Sequence, residues 1–123
     1  MALVSVGELA ILIVELSHFQ QKIIATELEQ LGCQQIETAS TVAEALDIMS
    51  RYTPDLVISS MYLPDGDGIS LVSQMRTDER LESIPYMLIS SEDRIDRLDP
   101  IRQAGSVAIL PKPFKIKDLQ TAI

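Results

Sequence analysis

The chain has 123 residues, 46% of them apolar, and a formal net charge of −8. That size and composition describe one domain with a packed core and exclude a disordered segment. So acidic a surface is a poor match for nucleic-acid phosphates or anionic membranes, whose recognition needs clustered Lys and Arg.

The opening MALVSVGELAILIVEL is apolar, but Glu8 and Glu15 interrupt it and no basic segment precedes it. It reads as a short leader and a buried strand, Leu9 to Val14, rather than a signal or membrane span. Ser17, with Gln20 three residues on, is a capping box that starts a helix. Ile24, Leu28 and Leu31 recur at helical spacing until Gly32 stops it. Cys33 is the single cysteine, so no internal disulfide forms; it reads as a buried thiol in a protein of the reducing cytoplasm.

Gln35 to Ala39 is a short, more polar strand placed at or near a sheet edge. Thr41 and Glu44 form a second capping box, and Val42, Ala45, Leu46 and Met49 supply the stripe of a helix that stops before Pro54. The central stretch, PDLVISSMYLPDGDG at 54–68, is a buried strand, a tight polar loop and a helix start. Ile69, Leu71, Val72 and Met75 continue that helix.

Ile84 to Ser90 is a fourth strand and Val107 to Leu110 a fifth. Between them Pro100 forbids a long helix, so the sequence predicts a short one from Pro100 to Ala104, capped by Asp99, after a loop at Asp93 to Leu98. Lys115 to Ile123 begins a last helix whose stripe, Ile116, Leu119 and Ile123, is cut off, which reads as a chain continuing in a longer protein. The alternation predicts one domain over 1–123: α/β, a doubly wound five-stranded parallel sheet with helices on both faces. Its length favours the flavodoxin-like order 2-1-3-4-5.

ILIVE at 11–15, the 54–68 stretch, IPYMLISS at 84–91 and AGSVAILPKPF at 104–114 together resemble the receiver domains of bacterial response regulators, the chemotaxis-regulator (CheY-like) fold. In that family two acids after the first strand and an aspartate ending the third hold Mg²⁺, and a histidine kinase phosphorylates that aspartate. A Ser or Thr ending the fourth strand and a Lys ending the fifth contact the phosphoryl oxygens. Matched position by position, Glu15 stands for the first acid and Leu16 for the second. Ser60 stands for the phosphoacceptor, and Ser90 and Lys112 match the hydroxyl and the lysine. Ile109 replaces the aromatic of the fifth strand.

Mg²⁺ requires a near-octahedral shell of hard oxygens anchored by carboxylates, and here Glu15 is the only one of the family's three. Magnesium binding is expected to be weak or absent, with no other cofactor. Leu16 would place an apolar side chain where metal-bound water should sit. Ser60 is a poor nucleophile without an adjacent base, so it reads as a small polar filler. Lys112 and Glu15 would pair directly, imitating the charge balance of a loaded pocket. Asp65 and Asp67 read as turn formers, His18 as a solvated side chain, Asp78-Glu79-Arg80 as solvated loop, and Met49, Met61, Met75 and Met87 as core.

The resulting expectation is a pseudo-receiver, not an enzyme, that acts by binding protein: a kinase, an output domain or a second copy. It would use the family's output face, here carrying Pro100, Ile109 and Phe114. One alternative is a working phosphoacceptor at Ser60 or Asp67. Another is a small-ligand flavodoxin-like domain, disfavoured because ELSHFQ after the first strand lacks a glycine-rich phosphate cradle.

Overall fold

A computed structural model describes residues 8–90 and 108–111. The buried run AILIV forms β1 (Ala10–Val14), followed by α1 (His18–Gln30), β2 (Gln35–Ala39), α2 (Val42–Met49) and β3 (Leu56–Ser60). A small hairpin, β4 (Tyr62–Leu63) and β5 (Gly66–Asp67), then leads into α3 (Gly68–Arg76), β6 (Tyr86–Ser90) and β7 (Ala108–Pro111). The main sheet is parallel and runs β2-β1-β3-β6-β7. Polar β2 lies outermost beside β1, while β1 and β3 are buried at every position.

Alternation along the strands divides the core between the two faces of the sheet. Leu12, Val14, Val57, Tyr86 and Leu88 pack with Val42, Ala45 and Met49 of α2 and Leu71, Val72 and Met75 of α3. Ile11, Ile13, Leu56, Ile58, Met87 and Ile89 pack with Ile24 and Leu28 of α1 and with Cys33. All four methionines assigned to the core are buried there.

The helix signals act locally as the sequence implies. Ser17 Oγ accepts from Gln20 N at 3.3 Å and Thr41 Oγ1 from Glu44 N at 3.0 Å. Gly32, with φ of 92°, supplies the left-handed residue beyond α1.

Several boundaries differ from the sequence reading. β1 starts at Ala10, whose N–H is taken by the Asp55 carboxylate at 2.9 Å. β6 starts at Tyr86 rather than Ile84, because Ile84 N–H closes a turn onto Leu81 O at 3.1 Å and Pro85 has no N–H. β7 covers 108–111 rather than 107–110.

The polar loop after β3 is itself the β4–β5 hairpin. Arg80 is not merely solvated: its guanidinium donates to Met49 O at 2.7 Å and Ser50 O at 3.4 Å, capping the C-terminus of α2. The expected loop at 93–98 and helices at 100–104 and 115–123 lie outside the described residues. Among the described residues no helix is long and apolar enough to cross a membrane.

Candidate functional site

Parallel strands bring their C-terminal ends to one edge, and there β1, β3 and β6 deliver the residues singled out by the sequence. β1 and β3 are direct neighbours, with Val14 opposite Ser59. Glu15 follows β1 and extends its ladder by one bond, its N–H donating to Ala39 O at 2.8 Å. Its side chain is buried, 6% exposed, and Ser60 at the end of β3 is 5% exposed. Ser60 stands opposite Ile89, and Ser90 ends β6 opposite Pro111.

Leu16 behaves differently from the expectation: at 54% exposed it is a surface residue of this edge, not a plug in the cleft. Ile109 lies within β7, opposite Leu88. Lys112, Pro100 and Phe114 lie outside the described residues, and with them the expected Glu15–Lys112 pair and the output face.

The exit of β1 is knotted by a residue the sequence reading passed over. Gln21 sits four residues after Ser17, on the same inward face as Ile24 and Leu28, and is buried. Its amide nitrogen donates to Glu15 O at 2.6 Å and Ser40 Oγ at 3.3 Å, with a longer contact to Ala39 O at 3.5 Å. Its carbonyl oxygen lies 3.3 Å from His18 Nδ1, so exposed His18 is tied to the site through Gln21. A polar side chain on the apolar face of an otherwise regular stripe was the available signal.

The exit of β3 is held by carboxylates and by a close approach. Asp67 Oδ1 accepts from Ser70 N at 2.8 Å and caps α3. Asp65, at the hairpin turn, reaches across to accept from Val42 N at 2.8 Å and Ala43 N at 2.9 Å, capping α2 from another loop. Those backbone donors hold its carboxyl below the usual carboxylate value. Both aspartates are therefore turn residues, as read from the sequence, with defined capping roles.

Behind the hairpin, a Cβ added at Gly68 would lie 2.6 Å from the Tyr86 hydroxyl, 3.0 Å from Leu88 Cδ1 and 3.3 Å from Ser60 O. Tyr86 is fully buried, and burial pushes its hydroxyl pKa far up; the Ser59 hydroxyl opposes that rise and the Asp67 carboxylate adds to it. Ser59 Oγ itself donates to Ser60 O at 2.9 Å. Cys33 is buried and its thiol pKa is raised by burial, which keeps it protonated and unreactive. Among the described residues no group of three or more His, Cys, Asp or Glu gathers in a way that could hold a metal ion.

The arrangement of strands and loops matches known proteins. The chemotaxis regulator CheY4 of Vibrio cholerae superposes with a TM-score of 0.84 over 92% of this chain and 97% of that one, at 23% identity, which speaks to the fold alone. The receiver domain of a signal transduction histidine kinase from Syntrophus aciditrophicus is 30% identical, with a TM-score of 0.81 over 90% of this chain and 83% of that one.

The receiver domain of a sensor histidine kinase from Pseudomonas aeruginosa PAO1, solved with magnesium coordinated in its active site cleft, is 27% identical, with a TM-score of 0.81 over 90% of each chain. The polar-differentiation response regulator DivK of Brucella ovis is 29% identical over 107 residues, covering 87% of this chain and 86% of its own. The family model described as the response regulator receiver domain matches residues 11–123, spanning both exits and the sheet between them, and the chain belongs to that family.

Proposed function

We propose that this chain is a receiver module of two-component signalling that works through protein contact, without enzymatic activity and without accepting a phosphoryl group at residue 60. The observation that carries this reading is buried Ser60 at the end of β3, the position at which the family presents its acceptor aspartate. A serine hydroxyl needs a base beside it to become a nucleophile.

The donor set is equally poor for magnesium. Glu15 supplies one carboxylate and Ser60 a neutral hydroxyl, while exposed Leu16 supplies nothing where the family places its second acid. In this reading Lys112 neutralises Glu15 directly. The pocket then holds one charge state permanently, and control passes to the partner: a kinase, an output domain or a second copy.

Two measurements test this. Intact mass after incubation with acetyl phosphate and Mg²⁺ is expected to show no added phosphoryl group; a gain of one overturns the proposal. Calorimetric titration with Mg²⁺ is expected to show no binding in the micromolar range for the natural chain. The double variant Leu16→Asp with Ser60→Asp, which rebuilds the three-carboxylate set with Glu15, is expected to gain at least about tenfold in Mg²⁺ affinity. Equal affinity of the two proteins would sink the donor-set argument.

A further inference from the structure

Two Asp-Gly links follow one another where the hairpin leads into α3, Asp65–Gly66 and Asp67–Gly68. Such a link carries a chemistry of its own. The glycine backbone nitrogen can attack Cγ of the preceding aspartate, because no Cβ screens its approach. A new N–C bond closes a five-membered imide, and the nitrogen's proton leaves with the carboxyl OH as water. Water then adds back at either ring carbonyl. Opening at one restores aspartate; opening at the other leaves the main chain running through Cβ, an isoaspartate of unchanged mass. The attack needs an accessible nitrogen and a carboxyl that is neutral and free to turn.

The fold treats the two links differently. At 67–68 both partners are engaged: Gly68 is buried and its N–H donates to Met61 O at 2.7 Å, while Asp67 Oδ1 accepts from Ser70 N at 2.8 Å. At 65–66 both residues are exposed. Asp65 is restrained by its reach to α2, where Val42 N and Ala43 N hold its two oxygens at 2.8 and 2.9 Å. Those bonds fix the carboxyl in place. They also keep it ionised, which is the unreactive form. The hairpin strands are only two residues each, so lifting them from α2 costs less than unfolding the domain.

We propose that Asp65–Gly66 is a modification site at which this chain converts aspartate to isoaspartate, and that the clamp on α2 gates the conversion. While Asp65 caps α2 the link is protected. When the hairpin lifts, the carboxyl returns to ordinary protonation and the exposed nitrogen beside it attacks. The product cannot resume the clamp. Isoaspartate adds one methylene to the main chain and sets its free carboxylate one bond closer to it, so the oxygens no longer span Val42 N and Ala43 N. The staple between the β3 exit and α2 is then lost for good, a covalent record of hairpin opening. Neither Ser60 nor Glu15 takes part, so a phosphoryl gain in the mass experiment leaves this chemistry untouched.

Ageing the full chain at neutral pH, folded and in urea, tests the gate. Isoaspartate is mapped by an endoproteinase that cleaves before aspartate but not before isoaspartate, with electron-transfer fragmentation to place it. The folded chain is expected to convert at 65 and not at 67. In urea both links should convert at similar rates, each faster than in the folded chain. Ala43→Pro withdraws one of the two clamp donors in the first turn of α2, where proline is tolerated. It should speed conversion at 65 about tenfold, the factor for losing one hydrogen bond to a charged group, and leave 67 unchanged.

No isoaspartate at 65 in the folded chain would overturn the proposal, as would conversion at 67 equal to that at 65. Equal rates at 65 in folded and urea-unfolded chain would remove the gate, and so would an Ala43→Pro rate no faster than the natural one. Should Ala43→Pro raise both positions together, the variant has unfolded as a whole, and the folded and urea-treated natural chains decide.

Discussion

The exits of β1 and β3 leave neighbouring strands at the same edge, yet they are built in opposite ways. The β1 exit is short and held from within: Glu15, buried, is followed by the Ser17 cap, and buried Gln21 ties the ends of β1 and β2 together. The β3 exit is longer and held from outside: a hairpin stapled to α2 by Asp65, capped by Asp67, and seated on Tyr86 through Gly68. The hydrogen bonds that hold the two exits run through Ser17, Gln21, Asp65 and Asp67, not through the side chains of residues 16 and 60. The scaffold at this edge therefore does not depend on a carboxylate at either of those positions.

The largest expected effect breaks the β3 exit. Gly68→Ala would press a methyl group against the Tyr86 hydroxyl at 2.6 Å, with backbone at Ser60 on its other side. The loss of stability in denaturant unfolding should be about 3 kcal/mol, the upper end of ordinary overpacking. Tyr86→Phe removes the oxygen that the new methyl meets first. In that background the same substitution should cost at least about 1 kcal/mol less, a coupling that a double-mutant cycle reads directly. Equal costs in both backgrounds would mean that the tyrosine does not set the space at Gly68.

The β1 exit should respond more mildly. Gln21→Met keeps the length of the side chain but withdraws the amide that serves Glu15 O and Ser40 Oγ. A loss of about 1–2 kcal/mol is expected, because Glu15 O becomes a buried acceptor short of a donor. Faster amide exchange should follow at the end of β1 but not in the β4–β5 hairpin. Exchange rising equally at both exits would erase the distinction between them.

These same residues mark how far the sequence could be read. The apolar runs of β1 and β3, the caps at Ser17 and Thr41 and the stop at Gly32 are local signals, each visible within one turn or strand, and the structure carries them. The parallel layering followed from the alternation of elements. Ser60 and Glu15 were placed at the loop edge by matching the family's pattern position by position, and they stand at the end of β3 and just past the end of β1.

What escaped was tertiary or too short to leave a period. Two-residue strands such as β4 and β5 show no alternation. The reach of Asp65 to α2 spans 23 residues, that of Arg80 to Met49 spans 31, and the fit of Gly68 under Tyr86 depends on a neighbouring strand. Leu16 was assigned an inward role from its family position. Its exposure could not be foreseen, because the first residue past a strand has no alternation to orient it.

The smallest effect tests the hairpin staple through its charge. The carboxylate of Asp65 accepts two backbone N–H bonds from α2, and both favour the ionised form. Its folded pKa therefore lies below the ordinary 3.8, whereas in the unfolded chain it returns to that value. A group of this sign stabilises the fold above the unfolded pKa and loses that contribution as pH falls toward the folded one.

Asp65→Asn keeps an oxygen that can accept but removes both the charge and the titration. The difference in melting temperature between natural chain and variant should be largest near neutral pH. It should close as pH drops through 3.8 toward the lower folded value. Added salt should shrink it, since the carboxylate is exposed. Taking the difference cancels the other carboxylates, which titrate alike in both proteins. A gap that stays constant across that window would mean that the hairpin rests on α2 by shape alone, and that the charge of Asp65 contributes nothing to holding the β3 exit in place.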